Sequence, residues 1–202
     1  MNLLLDVLVP QLARPHGLLG HLVAPLLDRG NRAINLHVVG ALDLKPRDRV
    51  LEAGFGGGVG LAMVLAHEPA VELTGVDLST EMVERCTKRF GNRLSLRQGS
   101  VETLPFAAGA FDKVFGVNVT YFWPDLSLAL AELQRVLSPG GTIVLGLRPP
   151  ETLRRLRFDD AGHRVWSADQ YVQALVAAGF ADARAQRMPD PEGAYVVQAR
   201  RA

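Results

Sequence analysis

One cysteine, Cys86, in 202 residues excludes an internal disulfide framework and a thiolate metal cluster, and it fits a reducing cytoplasm. A dominant charge is also missing. The 22 Lys and Arg nearly cancel the 21 Asp and Glu, leaving a formal net charge of +1, so the balance points to neither a nucleic-acid partner nor an acidic polymer. No apolar run is long enough to cross a bilayer. The apolar start, Met1 to Val9, contains Asp6, lacks a basic lead-in and is followed by Pro10 and Pro15, which suits a signal peptide poorly. It reads as a helix packed on the body or on a second subunit, with a membrane-facing lid as the alternative. No repeat or low-complexity linker appears, so the chain reads as one domain over 1–202, a helical cap over 1–44 and an α/β core over 45–202. The expectation is a cytoplasmic protein without integral membrane association. Its oligomeric state is open, a dimer among the options.

What is present is a glycine run. The strand Arg49-Val50-Leu51 leads into Glu52-Ala53-Gly54-Phe55-Gly56-Gly57-Gly58. Alternating glycines after a strand bring bare backbone against a ligand, because no Cβ blocks the approach. Asp77 closes the next apolar strand, where a ribose-binding carboxylate belongs. The pattern asks for a nucleoside-containing ligand.

Periodicity supplies the remaining order. Helices are expected over 18–29 and 31–42, with Gly30 between them, then strand one over 50–53, a helix over 59–67 and strand two over 71–76. Ser79 suits an N-cap for the next helix, where Met82, Cys86 and Phe90 recur at four-residue spacing. Cys86 therefore reads as core packing rather than as a nucleophile. Strands three and four are expected over 94–98 and 111–118. A helix carrying Leu126, Leu130, Leu133 and Leu137 should stop at Ser138-Pro139-Gly140-Gly141, before strand five over 142–147. After a polar, arginine-rich stretch come a helix over 168–178 and two strands, 182–187 and 194–200, close enough to form only an antiparallel hairpin. The class is α/β, a doubly wound, seven-stranded, mostly parallel sheet with a C-terminal antiparallel hairpin.

Frame counting narrows the ligand. A dinucleotide fingerprint needs glycines at relative positions one, three and six, but the sixth position is Val59 or Leu61, depending on the starting glycine. No Gly-Lys-Ser/Thr follows, so a P-loop is absent. The run Glu-x-Gly-x-Gly-x-Gly resembles the first motif of class I S-adenosylmethionine-dependent methyltransferases. Gly75-Val76-Asp77-Leu78-Ser79, the stretch from Gly99 to Phe106, Phe111-Asp112-Lys113-Val114 and the segment from Leu133 to Gly141 resemble further segments of that family, in order. The resemblance covers roughly Arg49 to Leu147 and implies a Rossmann-like methyltransferase fold with S-adenosyl-L-methionine as cofactor. It implies that Gly54, Phe55, Gly56 and Gly58 line the methionine and ribose portion, that Glu52 meets the methionine ammonium directly or through water, and that Asp77 accepts both ribose hydroxyls. Leu78 and Val101 would sandwich the adenine. Ser100 stands where the family often has Asp, and Asn118 would face the methionine end, or else serve as a strand-end hydrogen-bonder.

The methyl acceptor is expected to be a small molecule, with an apolar quinone or lipid as a variant and a non-catalytic cofactor-binding partner as a rival. Methyl transfer from a sulfonium needs alignment and water exclusion, and needs a base only when the acceptor holds its proton. Candidate acceptor contacts are Tyr121, Phe122 and Trp123, three consecutive aromatics that could stack on an acceptor or pack on the core. Asn31 and Asn35 add two amides on the stripe of Val38 and Leu42. The candidates for a base are His37 and Tyr121. Glu102 reads as a solvated loop residue, and no histidine–carboxylate spacing suggests a metal site.

Overall fold

Short apolar strands alternating with helices build one seven-stranded sheet in the computed structural model, which describes residues 31–189 and 193–202. In chain order the elements are α1 (Arg32–Ala41), β1 (Arg49–Ala53), α2 (Val59–His67), β2 (Glu72–Asp77), α3 (Thr80–Phe90), β3 (Ser95–Gln98), β4 (Phe111–Val117), α4 (Leu126–Val136), β5 (Leu137–Leu147), α5 (Pro150–Arg155), α6 (Ala168–Ala177), β6 (Phe180–Arg187) and β7 (Tyr195–Arg201). Single 3-10 turns lie at Gly91–Arg93 and Thr120–Phe122. The sheet order is β3-β2-β1-β4-β5-β7-β6. The first five strands are parallel, and β7 and β6 form the antiparallel edge. The expected helix over 18–29 and the apolar start lie outside the described residues.

Two hydrophobic layers cover the sheet. Val50 and Phe115 join Ile34, Val38, Val39, Leu61 and Val64 under α1 and α2, while Leu51, Val114, Ile143 and Leu145 join Leu130, Leu133 and Tyr171 under α4 and α6. Adjacent strand residues thus serve opposite faces, as pleating dictates. Cys86 is fully buried with Met82 and Phe90 along α3, and burial pushes its thiol up to about 11, which keeps it protonated and inert. Ser79 caps α3 by accepting from the Met82 N–H at 3.3 Å.

Three local expectations are corrected. Leu137 leaves the helix face and opens β5, and the Ser138–Gly141 turn becomes an irregularity inside that strand's span, between the rungs Phe111–Leu137 and Lys113–Thr142. Periodicity could not see this, because Leu137 is buried in either assignment. A short helix, α5, occurs within the stretch read as merely polar, with Pro150 in its first turn, where a missing N–H does no harm. β6 begins at Phe180, and its irregular register sits at Asp182, φ +54°.

The lower ends of the strands are pinned by Asp112. Its carboxylate accepts from Arg49 Nε at 3.0 Å and NH2 at 2.7 Å, from the Arg49 backbone N–H at 3.0 Å and from Ser138 Oγ at 3.1 Å. These bonds tie β1, β4 and β5 together. The Arg49 side chain, ahead of other neighbours, holds the Asp112 carboxyl down to about 2. A depressed value means stabilisation present above the ordinary carboxylate range and lost as pH falls through the folded-state value. The pair is partly exposed, so solvent screening discounts it. Asp112→Asn should lower stability by about 1–2 kcal/mol at neutral pH. In urea melts the gap to wild type should close between roughly pH 4 and pH 2, and a gap unchanged at pH 2 would contradict this account.

Candidate functional site

The glycine run divides its labour. Gly54 leaves β1 at φ +77° and donates its N–H to Val76 O at 2.7 Å. A Cβ there would collide with the Val119 side chain just beyond β4, and one on Gly58 would come within 2.9 Å of Cys86 Sγ and 2.8 Å of the Phe90 ring. Gly56 differs: at φ +48°, a Cβ would meet no atom of the described residues within 4 Å. All three glycines were expected to line the ligand, yet only Gly56 presents an open side. Phe55 is buried against β2, its ring 2.7 Å from where a Gly75 Cβ would stand, so its side chain anchors the loop to the sheet.

Two acidic side chains serve this segment, Asp77 at the open glycine and Glu52 beneath the start of α2. Asp77 Oδ2 accepts from the Gly56 N–H at 2.8 Å, and Oδ1 accepts from the Ser79 N–H at 2.9 Å. The carboxylate holds the loop and keeps lone pairs for a ligand's hydroxyls. Burial raises its pKa, and the backbone N–H groups of Ser79, Gly56 and Leu78 pull it back. Glu52 is only 3% exposed and packs beneath Gly60. Its Oε2 has no hydrogen-bond partner among the described residues. Burial pushes its carboxyl well above the ordinary value, the nearby Asp77 pushes further and the Leu61 backbone offsets part of the rise. An orphaned buried carboxyl oxygen asks for a donor, best a cation.

Beyond Asp77, Leu78 stands 47% exposed, an apolar side chain facing solvent beside the site. Val101 is buried and belongs to the core cluster. Ser100 Oγ accepts from the Glu102 N–H at 3.2 Å. Glu102, expected to be merely solvated, accepts from the Asp125 N–H at 2.6 Å and so ties this loop to the start of α4.

A polar cluster closes the ends of β4 and β5. Asn118, at φ +53°, donates Nδ2 to Asn31 Oδ1 at 2.9 Å and accepts at Oδ1 from the Tyr121 hydroxyl at 3.1 Å. Arg148 donates its backbone N–H to the same hydroxyl and its NH2 to Asn31 Oδ1 at 3.1 Å. Arg148 was not singled out in the sequence. Its signal is positional, as the first polar residue beyond β5. Tyr121 is buried, and burial first, then Tyr171, raises its phenol pKa strongly. Its hydroxyl is engaged at both sides, donating to Asn118 and accepting from the Arg148 N–H. Trp123 is buried in the core cluster, so its ring serves the fold. Phe122 is half-buried, with its ring 5.0 Å from the His163 ring and 5.7 Å from that of Phe158. His37 lines a groove of about 190 Å³ with Gly40, Arg184 and Gln186, at the hairpin end of the sheet. β4 and β5 lie between β1 and that hairpin.

Comparison with known proteins places the chain in a family. The family model described as a methyltransferase domain matches residues 51–145. The uncharacterized methyltransferase YdaC of Bacillus subtilis is 32% identical over 154 residues, 75% of this chain and 82% of that protein. The phthiotriol/phenolphthiotriol dimycocerosates methyltransferase of Mycobacterium leprae is 32% identical over 159 residues, 76% of this chain and 59% of its own length. The chain spans between 32% and 58% of the length of other curated relatives. The crystal structure of a SAM-dependent methyltransferase of Thermotoga maritima, described as a possible histamine N-methyltransferase, shares the fold with a TM-score of 0.70 at 21% identity, over 88% of this chain and 92% of that one. The open Gly56, the exposed Leu78 and the orphaned Glu52 oxygen fit the parts of that cofactor: a close-packed ribose, a flat base and a cationic amino acid end.

Alanine at Gly54 or Gly56 meets the same backbone strain, about 1–2 kcal/mol for a side chain in the left-handed region. Gly54→Ala should lose more stability, because Val119 must also move, whereas Gly56→Ala should weaken S-adenosylhomocysteine binding with the smaller fall in Tm. Scanning fluorimetry with and without ligand separates the two; equal Tm losses would contradict the division. Glu52 supplies a second test. Its raised value means that its contribution to stability is present below the ordinary carboxylate range and lost as pH rises through the folded-state value. Glu52→Gln should therefore raise the Tm of the ligand-free protein near neutral pH, and should weaken S-adenosylhomocysteine binding by roughly tenfold. A lower Tm together with unchanged affinity would remove Glu52 from the site.

Proposed function

We propose that this chain, which belongs to the class I S-adenosylmethionine-dependent methyltransferases, methylates a small-molecule acceptor by in-line displacement at the end of β4. The observation that carries the residue assignment is the open side of Gly56, held by Asp77, together with the unpartnered oxygen of the buried Glu52. When bound, S-adenosylmethionine supplies an activated methyl on a sulfonium, a good leaving group. The protein's part is to hold, align and exclude water. Asp77 holds the ribose hydroxyls while fixing the Gly56 N–H. Glu52 receives the ammonium, Leu78 covers one face of the adenine, and Ser100 offers its hydroxyl to the adenine edge.

On the acceptor side, Asn31, Asn118 and Tyr121 form one hydrogen-bonded unit that fixes the mouth of the site. Phe122 is the aromatic of this loop that keeps an exposed part. Tyr121 acts here as a positioning residue. No base is assigned, and the reaction needs none for an acceptor that reaches the site with a free lone pair.

An apolar acceptor is the second reading, favoured by the likeness to a methyltransferase of phthiotriol and phenolphthiotriol dimycocerosates. Calorimetric titration with S-adenosylhomocysteine tests the cofactor assignment, and Asp77→Ala should weaken it by about 1–3 kcal/mol. Unchanged affinity removes Asp77 from the ribose role. Release of S-adenosylhomocysteine is then measured over polar amines and acids, and over quinones and lipids in mixed micelles. Turnover with the apolar set alone would replace the first reading by the second. Tight binding without turnover on either set would make the chain a cofactor-binding partner protein.

A further inference from the structure

Asn35 on α1 is 3% exposed. Its Nδ2 donates to the Asn31 carbonyl at 2.8 Å. A carbonyl can only accept, so the amide is turned with Oδ1 away from it, and Oδ1 has no hydrogen-bond partner among the described residues. Buried amide oxygens are rarely left bare. Among the described residues, the other orphaned buried side-chain atom is Glu52 Oε2.

The strand register shows how the two are placed. Asn31 meets Asn118 and Arg148 at the strand ends. Ile34 and Val38 both press on Gly146, lying 3.0 and 2.7 Å from where its Cβ would be, and Gly146 pairs with Val117. Asn35, between Ile34 and Val38 in sequence, thus lies at the height of the Val117–Gly146 rung. Glu52 pairs with Phe115, two residues back along β4, an offset of about 7 Å at the usual rise of a strand, and β4 separates its strand β1 from the β5 that carries Gly146. Both residues lie on the side of the sheet covered by α1 and α2: Asn35 in the buried stripe of α1, and Glu52 beneath Gly60 of α2. Two bare acceptor oxygens therefore sit on one face of the sheet: Glu52 on β1 under α2, and Asn35 on the flank of α1 opposite His37 and Gly40, which line the hairpin groove, so that Asn35 is turned toward β1 and α2. The group that suits both is compact, cationic and a multiple donor.

Building on the cofactor reading above, we propose that Asn35 accepts a hydrogen bond from the α-ammonium of the cofactor's methionine moiety, sharing that group with Glu52. Helix α1 is then part of the cofactor site and not only a cover over the acceptor. Binding would draw α1 against the glycine loop, and the acceptor mouth built on Asn31 would be set by the same helix.

The test compares two ligands on the full chain by calorimetry: S-adenosylhomocysteine, and the analogue in which hydrogen replaces its α-amino group. Asn35→Leu should weaken S-adenosylhomocysteine by roughly tenfold, the scale of one hydrogen bond to a charged group, and should leave the analogue's affinity unchanged. Asn35→Ala, which leaves less to repack, should give the same selective loss if the leucine variant folds poorly. An equal loss with both ligands would make Asn35 a packing residue, and no loss with either would mean that it serves a buried water or the acceptor; both overturn the proposal. Failure of the wild-type chain to bind S-adenosylhomocysteine is a separate result that sinks the cofactor reading itself.

Discussion

The site depends on how closely the backbone leaving β1 approaches its neighbours. Gly54 sits where any side chain would strike Val119, and this closeness lets the loop turn over the strand ends while its N–H bonds Val76. Asp77 then secures the loop through the Gly56 N–H, and the Ser79 N–H bond to the same carboxylate fixes the start of α3. One carboxylate therefore sets the geometry of both the glycine loop and the start of α3. The pleat follows the same constraint: Leu51 and Ala53 go to one core, Val50 to the other, and Glu52 is left buried under α2.

The candidate site is held at some expense to the fold. Glu52 sits desolvated beside Asp77, and Asn118 holds a left-handed backbone conformation uncommon for a residue with a side chain. Both features are concentrated at the carboxyl ends of the strands, where open α/β sheets bind ligands. The opposite end shows the reverse arrangement. There Asp112 is fully engaged by Arg49 and Ser138, a polar knot whose bonds all serve stability. The sheet thus has a satisfied end and an unsatisfied end.

Much of this was legible in the sequence. Strand β1 into the glycines, α2 over Val59–His67 and the buried stripe of α3 lie where periodicity and breakers place them. Other features were not legible, each for a definite reason. Leu137 satisfies a helical stripe and a buried strand equally well. The aromatic run Tyr121-Phe122-Trp123 has no periodicity that reveals which rings turn inward, and two of the three are buried in the core. His37 is rotated off the stripe of Asn31, Asn35, Val38 and Leu42, as its spacing requires, but the sequence does not say that the surface it meets is the hairpin groove.

The sequence by itself determined the donor side: the order of elements, the glycine spacing that excludes a dinucleotide, and the two acidic residues that accompany it. These are local properties, written by residues near one another in the chain. Tertiary structure alone decided what each residue does there. It gave Gly54 and Gly58 to packing and Gly56 to the open side, left Oε2 of Glu52 and Oδ1 of Asn35 bare, and joined Asn31 to Asn118 and Arg148 across 87 and 117 positions of chain. The physical reason is that burial and hydrogen-bond satisfaction are set by whatever the fold brings alongside a group, and a one-dimensional pattern carries no record of those neighbours.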